Sequence, residues 1–188
     1  MIEIIDDVLN EDEFKLIHDM LTKYYFTCRW CPNTVDTGNP ADTPQFVRPI
    51  MMHDFDEKTL ENEIISKWPE FYNIAVKALE KSERKWLLDT LEFHRIKANL
   101  LTPWPNAPRW HPPHEDTDRP NAVSCIFYIT DSDGDTYFFG DDDDNRTVSP
   151  KPNRAVLFDA YHKHCSSNPI NSNRRIIVNS VVVVEEEK

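Results

Sequence analysis

Four of the seven histidines fall in two tight clusters, His111-Pro-Pro-His114-Glu-Asp116 and His162-Lys-His164. In an extended segment, side chains two residues apart project to the same side, so His114 and Asp116 can offer an imidazole and a carboxylate to one point while Glu115 faces away. A third ligand has to come from elsewhere. His164 and His162 follow a different β-rich run, where a folded sheet can bring a distant segment back beside the first. His111 could replace His114 only if Pro112 and Pro113 bent the segment. A metal held on one face by two histidines and a carboxylate keeps its other positions open for exchangeable ligands.

That facial set is the arrangement of non-haem Fe(II) oxygenases. Other chemistries find less support. Only Gly38, Gly134 and Gly140 are present, and their spacing matches no dinucleotide fingerprint, phosphate-binding loop or nucleophile elbow. With 33 acidic against 21 basic residues, the formal charge of −12 repels phosphate backbones and anionic membrane surfaces, so nucleic acid is a poor partner. The start of the chain lacks the basic and apolar runs of a signal peptide, and no stretch is apolar enough to span a bilayer, which predicts a cytoplasmic protein. Cys28, Cys31, Cys125 and Cys165 are too few and too scattered for a disulfide framework. Cys28-Arg-Trp-Cys31 has redox or zinc spacing without a second such pair, and reads as two thiols at a strand end.

The elements that must position these groups change character along the chain. Ile2 to Ile5 reads as a short strand, and Asn10 with Glu13 forms a capping-box start for a helix to about Tyr24. A second helical region runs from about Glu57 to Lys81, restarted at Pro69. After Thr90 the period shortens: Glu92–Leu100, Ala122–Thr130, Thr136–Phe139, Arg154–Phe158 and Arg175–Val184 are β-rich runs separated by Pro, Asn and Asp. No helix-length segment lies between them, which favours an antiparallel sandwich or barrel. The Pro-rich stretches Pro32–Pro44 and Pro103–Pro113 read as long loops of the kind that form lids or binding walls. Asp131-Ser-Asp-Gly-Asp135 reads as a hairpin turn, since its glycine is misplaced for a calcium loop. Asp141–Asp144 and Glu185–Lys188 read as solvated acidic segments.

Taken in order, His114-Glu-Asp116, Cys125-Ile-Phe-Tyr-Ile129, Asp133-Gly-Asp-Thr136, Asn153-Arg-Ala-Val-Leu-Phe-Asp159, His164-Cys-Ser-Ser-Asn-Pro169 and Arg175-Ile-Ile-Val-Asn179 resemble the catalytic core of the prolyl-4-hydroxylase-like Fe(II)/2-oxoglutarate-dependent dioxygenases. The similarity is closest to short forms encoded by phages, which share Arg95-Ile-Lys-Ala-Asn-Leu100, and it spans about Arg95 to Val184. It implies a mainly β fold with N-terminal helices: a cupin-like double-stranded β-helix, or jelly roll. Residues 1–188 would form one domain, with 1–89 as helical support and outer strands and 90–184 as the catalytic core. Iron would be bound by His114, Asp116 and His164, the last preferred over His162 by its context. Arg175 would hold the distal carboxylate of 2-oxoglutarate, with Arg174 facing outward and the Tyr128 hydroxyl sharing the contact. Ordinary core packing is the other reading of Tyr128.

The alternation of Arg95, Lys97 and Asn99 with Ile96, Ala98 and Leu100 gives that strand one wet side. It is either the outer surface or, as the resemblance implies, the catalytic mouth, with Lys97 and Asn99 on cosubstrate or substrate. Relatives often carry a tyrosine where this chain has Leu101. The implied reaction consumes O2 and 2-oxoglutarate, hydroxylates a C–H bond of a protein, peptide or small-molecule substrate, and releases succinate and CO2. A peptidyl prolyl residue is the leading substrate, ascorbate an optional reductant, and host cytoplasm the compartment of a phage-encoded form. The competing readings are a cupin-like metal hydrolase or isomerase, in which Arg175 has no role, and a non-catalytic jelly-roll binding module.

Overall fold

The computed structural model describes residues 1–23, 27–35, 42–52, 69–140 and 145–184. Expectations for 36–41, 57–68, 141–144 and 185–188 lie outside the described residues. Strand β1 (Glu3–Ile5) leads to helix α1 (Glu11–Thr22). The Asn10 side chain accepts from the Glu13 amide at 2.9 Å and the Glu13 carboxylate accepts from the Asn10 amide at 3.0 Å, so the capping box closes and three acidic residues sit against the positive end of the helix dipole. Helix α2 (Pro69–Glu80) starts on a proline, which has no amide to leave unpaired there, and buries Phe71, Ile74, Ala75, Ala78 and Leu79 on one stripe.

Among the described residues, ten strands make two sheets. The larger runs β1–β8–β5–β10–β4–β3–β2 and the smaller β7–β6–β9, with every pairing antiparallel. The remaining strands are β2 (Arg29–Cys31), β3 (Gln45–Met52), β4 (Leu91–Leu101), β5 (Ala122–Tyr128), β6 (Thr136–Phe138), β7 (Arg146–Val148), β8 (Arg154–Asp159), β9 (His164–Ser166) and β10 (Arg175–Val184). The two sheets and their flanking helices form the expected jelly roll. Strand β5 is buried along its whole length because both its faces are covered. Cys125 and Phe127 pack with Ile17, Phe71, Ile74 and Leu79 of the helices, whereas Ile126 and Tyr128 pack with Phe138 and Val148 of the smaller sheet. The same alternation on β4 and β10 sends Ile96, Ala98, Ile176 and Val178 to the helices and turns Lys97, Asn99, Arg175 and Ile177 inward.

Several boundaries differ from the sequence expectation. Helix α1 ends at Thr22, β5 at Tyr128 and β6 at Phe138. Strands β2, β3, β7 and β9 carry no local signal of their own. Pro49 argues against a strand at 45–52, yet the chain accommodates it at a register shift between Pro49 and Met51, where no ladder amide is needed. All four cysteines are free thiols, and Cys31 closes β2. Among the described residues no helix is long and apolar enough to cross a membrane.

Candidate metal centre and adjoining cavity

The His114–Asp116 segment is fastened to the strand that carries the third histidine. His114 and His164 exchange two backbone hydrogen bonds of 2.9 Å, the Asp116 amide donates to the Ala160 carbonyl at 2.9 Å, and the His111 amide donates to the Ser166 carbonyl at 2.8 Å. This short ladder brings the His114, Asp116 and His164 ligand atoms within 4.8 Å of one another, close enough for one ion among them. Asp116 Oδ2 lies 3.7 Å from His164 Nε2, and the two imidazole rings are 4.6 Å apart. Glu115 is exposed, as alternation requires.

Each ligand is oriented from behind. His164 Nδ1 donates to the His162 carbonyl at 2.9 Å and His114 Nδ1 to the Pro112 carbonyl at 3.3 Å. A carbonyl only accepts, so both rings carry a proton on Nδ1 and turn Nε2 toward the other ligands. Burial, with His164 beside it, pushes His114 down to about 4, which keeps it neutral as a metal ligand must be. Burial alone would raise Asp116, but Arg95, His164 and Lys97, with the Ser124 hydroxyl, hold its carboxyl well below the usual carboxylate range. Ser124 donates to Oδ2 at 2.6 Å, Asn179 reaches both oxygens at 3.3 Å, and Arg95 Nη2 is paired with Oδ1.

From this cluster a cavity runs between the sheets, lined by Lys97, Asn99, His114, His164, Asn179 and, at its far end, Arg175. Arg175 is 2% exposed. Its Nε donates to the Gly134 carbonyl and its Nη2 to Thr136 Oγ1, both at 2.8 Å. Tyr128 lies behind the arginine rather than along the cavity: the guanidinium carbon is 5.7 Å from its ring centre, and its hydroxyl is 2.7 Å from Thr136 Oγ1. Thr136 therefore joins the two, a role its place after a turn did not announce. A Cβ on Gly134 would lie 2.7 Å from the Ser167 carbonyl and 3.1 Å from Arg175 Cδ, so the arginine runs past a glycine that leaves it room. Arg174 is exposed.

Lys97 and Asn99 stand on the inner face. Gln45 Nε2 donates to the carbonyls of Asn33 and Thr34, which turns its Oε1 toward Asn99 Nδ2, 2.6 Å away. Sequence reasoning missed Gln45, whose partner lies on a different strand. Burial, reinforced by Arg95, pushes Lys97 down to about 8, still protonated at neutral pH.

His111 is buried and lies outside the metal cluster, so it does not replace His114. Asn168 Nδ2 donates to the Thr102 carbonyl, which turns Asn168 Oδ1 to His111 Nε2 at 2.7 Å; Thr43 Oγ1 is 3.1 Å from the same nitrogen and Ser166 Oγ is 3.2 Å from Nδ1. The ring carries its proton on Nε2 and ties three segments together.

The donor set fits a ferrous ion. It comprises two imidazoles and one carboxylate, and Cys165 beside them stays a thiol because burial pushes it up to about 12, so it offers no thiolate that would favour a softer metal. The far end fits an anion, with a buried guanidinium facing the cavity.

No protein-family model matches the chain, and no curated protein does. Solved structures do. The α-ketoglutarate-dependent epimerase SnoN from nogalamycin biosynthesis superposes with a TM-score of 0.65 at 13% identity, covering 97% of this chain and 78% of that one. A Pseudomonas putida prolyl-4-hydroxylase gives 0.62 at 13% identity, covering 98% and 93%. The viral collagen prolyl hydroxylase of Paramecium Bursaria Chlorella virus-1 gives 0.56 at 16% identity, covering 98% and 90%. At this level of identity the likeness establishes the fold: the chain has the architecture of the 2-oxoglutarate- and Fe(II)-dependent oxygenases.

Proposed function

We propose that the protein is a single-domain Fe(II)- and 2-oxoglutarate-dependent dioxygenase that hydroxylates a C–H bond of its substrate. One observation carries this reading: the three metal-ligating side chains converge at one end of a cavity whose other end is a buried arginine. His114, Asp116 and His164 would hold the iron, and Arg175, braced by Thr136 and Tyr128, would hold the distal carboxylate of 2-oxoglutarate. When bound, the iron supplies O2 activation coupled to oxidative decarboxylation of the cosubstrate to succinate and CO2.

The chain's own residues bind, orient and shield. Arg175 offers a planar fork in a low-dielectric site, where it discriminates carboxylates from neutral ligands. Ser124 and Asn179 would keep Asp116 turned to the metal. Asn99, fixed by Gln45, and Lys97 face the cosubstrate from β4. Leu101, also lining the cavity, supplies no hydrogen bond where relatives carry a tyrosine.

A peptidyl prolyl residue is the substrate we assign first, supported by the sequence resemblance and by two prolyl hydroxylases among the structural neighbours. Neighbours that act in nogalamycin biosynthesis keep small molecules in view as the alternative. The deciding experiment is anaerobic addition of Fe(II) and 2-oxoglutarate, which should give a metal-to-ligand charge-transfer absorption band. A metal hydrolase or isomerase that takes no 2-oxoglutarate, or a binding module, gives none. Succinate release stimulated by prolyl peptides, against free amino acids, then tests the substrate.

A further inference from the structure

Arg175 is not the cavity's only cation. Arg175 on β10 stands opposite Leu101 and Lys97 on β4 stands opposite Asn179, so the two are four residues apart on paired strands, both on the inner face. That is about 13 Å of strand at roughly 3.3 Å per residue, shortened as the two side chains reach inward. Among the described residues Lys97 has no hydrogen-bond or ion-pair partner, and Arg175 donates through Nε and Nη2 to the Gly134 carbonyl and Thr136. Asp116 is the carboxylate that acts on Lys97, and Arg95 is already paired with it; Asp135 acts on Arg175 without an ion pair to it. Without a metal, the cavity thus carries a cation at each end, neither of them in an ion pair among the described residues. Such charges are costly in a low-dielectric interior and are relieved by a ligand anionic at both ends. A dication entering the same empty site meets repulsion from Lys97 and Arg95.

We propose that Lys97 is a second carboxylate-holding cation opposite Arg175, so that the protein binds a linear five-carbon dicarboxylate without any metal. This rests on the cosubstrate cavity assigned above and adds an order to it: the dianion binds to the metal-free protein and favours metal entry. By linkage, metal and dianion raise each other's affinity by one factor, and Lys97 contributes to that factor.

The test is calorimetric titration of the full-length protein, freed of metal by chelator, with glutarate, which has both carboxylates but lacks the oxo group that chelates. Glutarate should bind, pentanoate should bind at least tenfold more weakly, and Lys97→Met should weaken glutarate at least tenfold while Lys97→Arg restores most of the affinity. Lys97→Met should also bind Mn(II) alone more tightly than the wild type. Equal binding of glutarate and pentanoate, no glutarate binding, or unchanged affinity in a folded Lys97→Met would overturn the proposal. Since the ligand comparison uses the wild type alone, it stands even if the variant does not fold. Titration of 2-oxoglutarate into the Mn(II)-loaded wild type separates the two readings: if it binds while glutarate fails on metal-free protein, only the role of Lys97 falls. If neither binds, the cosubstrate cavity falls with it.

Discussion

The carboxylate of Asp116 and the imidazole of His164 face each other across 3.7 Å, one from the segment before β5 and the other from β9. Neither would hold that position alone. The carboxylate is fixed by Ser124 and Asn179, and the imidazole by its own Nδ1 hydrogen bond to the His162 carbonyl.

Removing either ligand should abolish useful metal binding, but only one removal should disturb the metal-free fold. His164→Ala is expected to lower Fe(II) or Mn(II) affinity by more than about 100-fold, since weakening the groups behind a ligand already costs 10–100-fold. Asp116→Ala should do the same and also destabilise the apoprotein by about 3 kcal/mol, because it leaves Arg95 without its carboxylate in a largely buried site. Metal titration and urea unfolding of both variants check this. Equal unfolding midpoints would remove the structural role of the Arg95–Asp116 pair.

Thr136 accepts from Arg175 and meets the Tyr128 hydroxyl, so Thr136→Val keeps the shape and deletes both contacts. Loss of one hydrogen bond to a charged group is worth about 1.5–3 kcal/mol. The expected result is a rise of roughly tenfold or more in the KM for 2-oxoglutarate, with metal affinity unchanged. Arg175→Ala should weaken the cosubstrate further. If its apparent affinity survived Arg175→Ala, the cosubstrate would bind elsewhere.

The N-terminal strand gives a pH test away from the site. Arg154 and Lys151 hold Asp6 down to about 2 from 3.8. A carboxylate with a lowered folded-state value contributes stability above 3.8 and loses it as pH falls toward 2. Because Asp6 is 38% exposed, that contribution is about 1 kcal/mol or less. Asp6→Asn should therefore lower stability by that amount at pH 6 and by almost nothing at pH 2, read from urea midpoints. A difference independent of pH would mean the carboxylate charge is irrelevant.

What the sequence revealed follows the range of the interactions involved. Strand β10 could be bounded correctly at both ends because its apolar, β-branched run is long, and β4 announced its two faces through strict alternation. The three-residue strands β2, β7 and β9 exist because partners pair with them, and β3 hides behind Pro49. The same division holds at the site. His114 and Asp116 share a face by spacing alone, whereas His162 and His164 have the same parity, so the choice of His164 came from the residues that follow it rather than from spacing. Gln45, Thr136 and the clamp at His111 act through partners on other segments, which no local pattern encodes.

Gly134 offers the most economical test of how the arginine is held. An added Cβ would meet the Ser167 carbonyl at 2.7 Å and the Pro169 nitrogen at 3.0 Å, both backbone atoms that cannot swing aside, as well as Arg175 Cδ at 3.1 Å. Something must move, and the turn that presents the Gly134 carbonyl to Arg175 Nε is the part without a strand to hold it. Gly134→Ala is therefore expected to weaken 2-oxoglutarate at least tenfold, to destabilise the fold by about 1–3 kcal/mol through overpacking, and to leave Mn(II) affinity within about twofold of wild type, because none of the three metal ligands leans on this turn. Calorimetry with Mn(II) and then with 2-oxoglutarate reads the two effects separately. An intact cosubstrate affinity would mean that Arg175 keeps its place without the Gly134 carbonyl, and that Thr136 alone sets the position of the guanidinium.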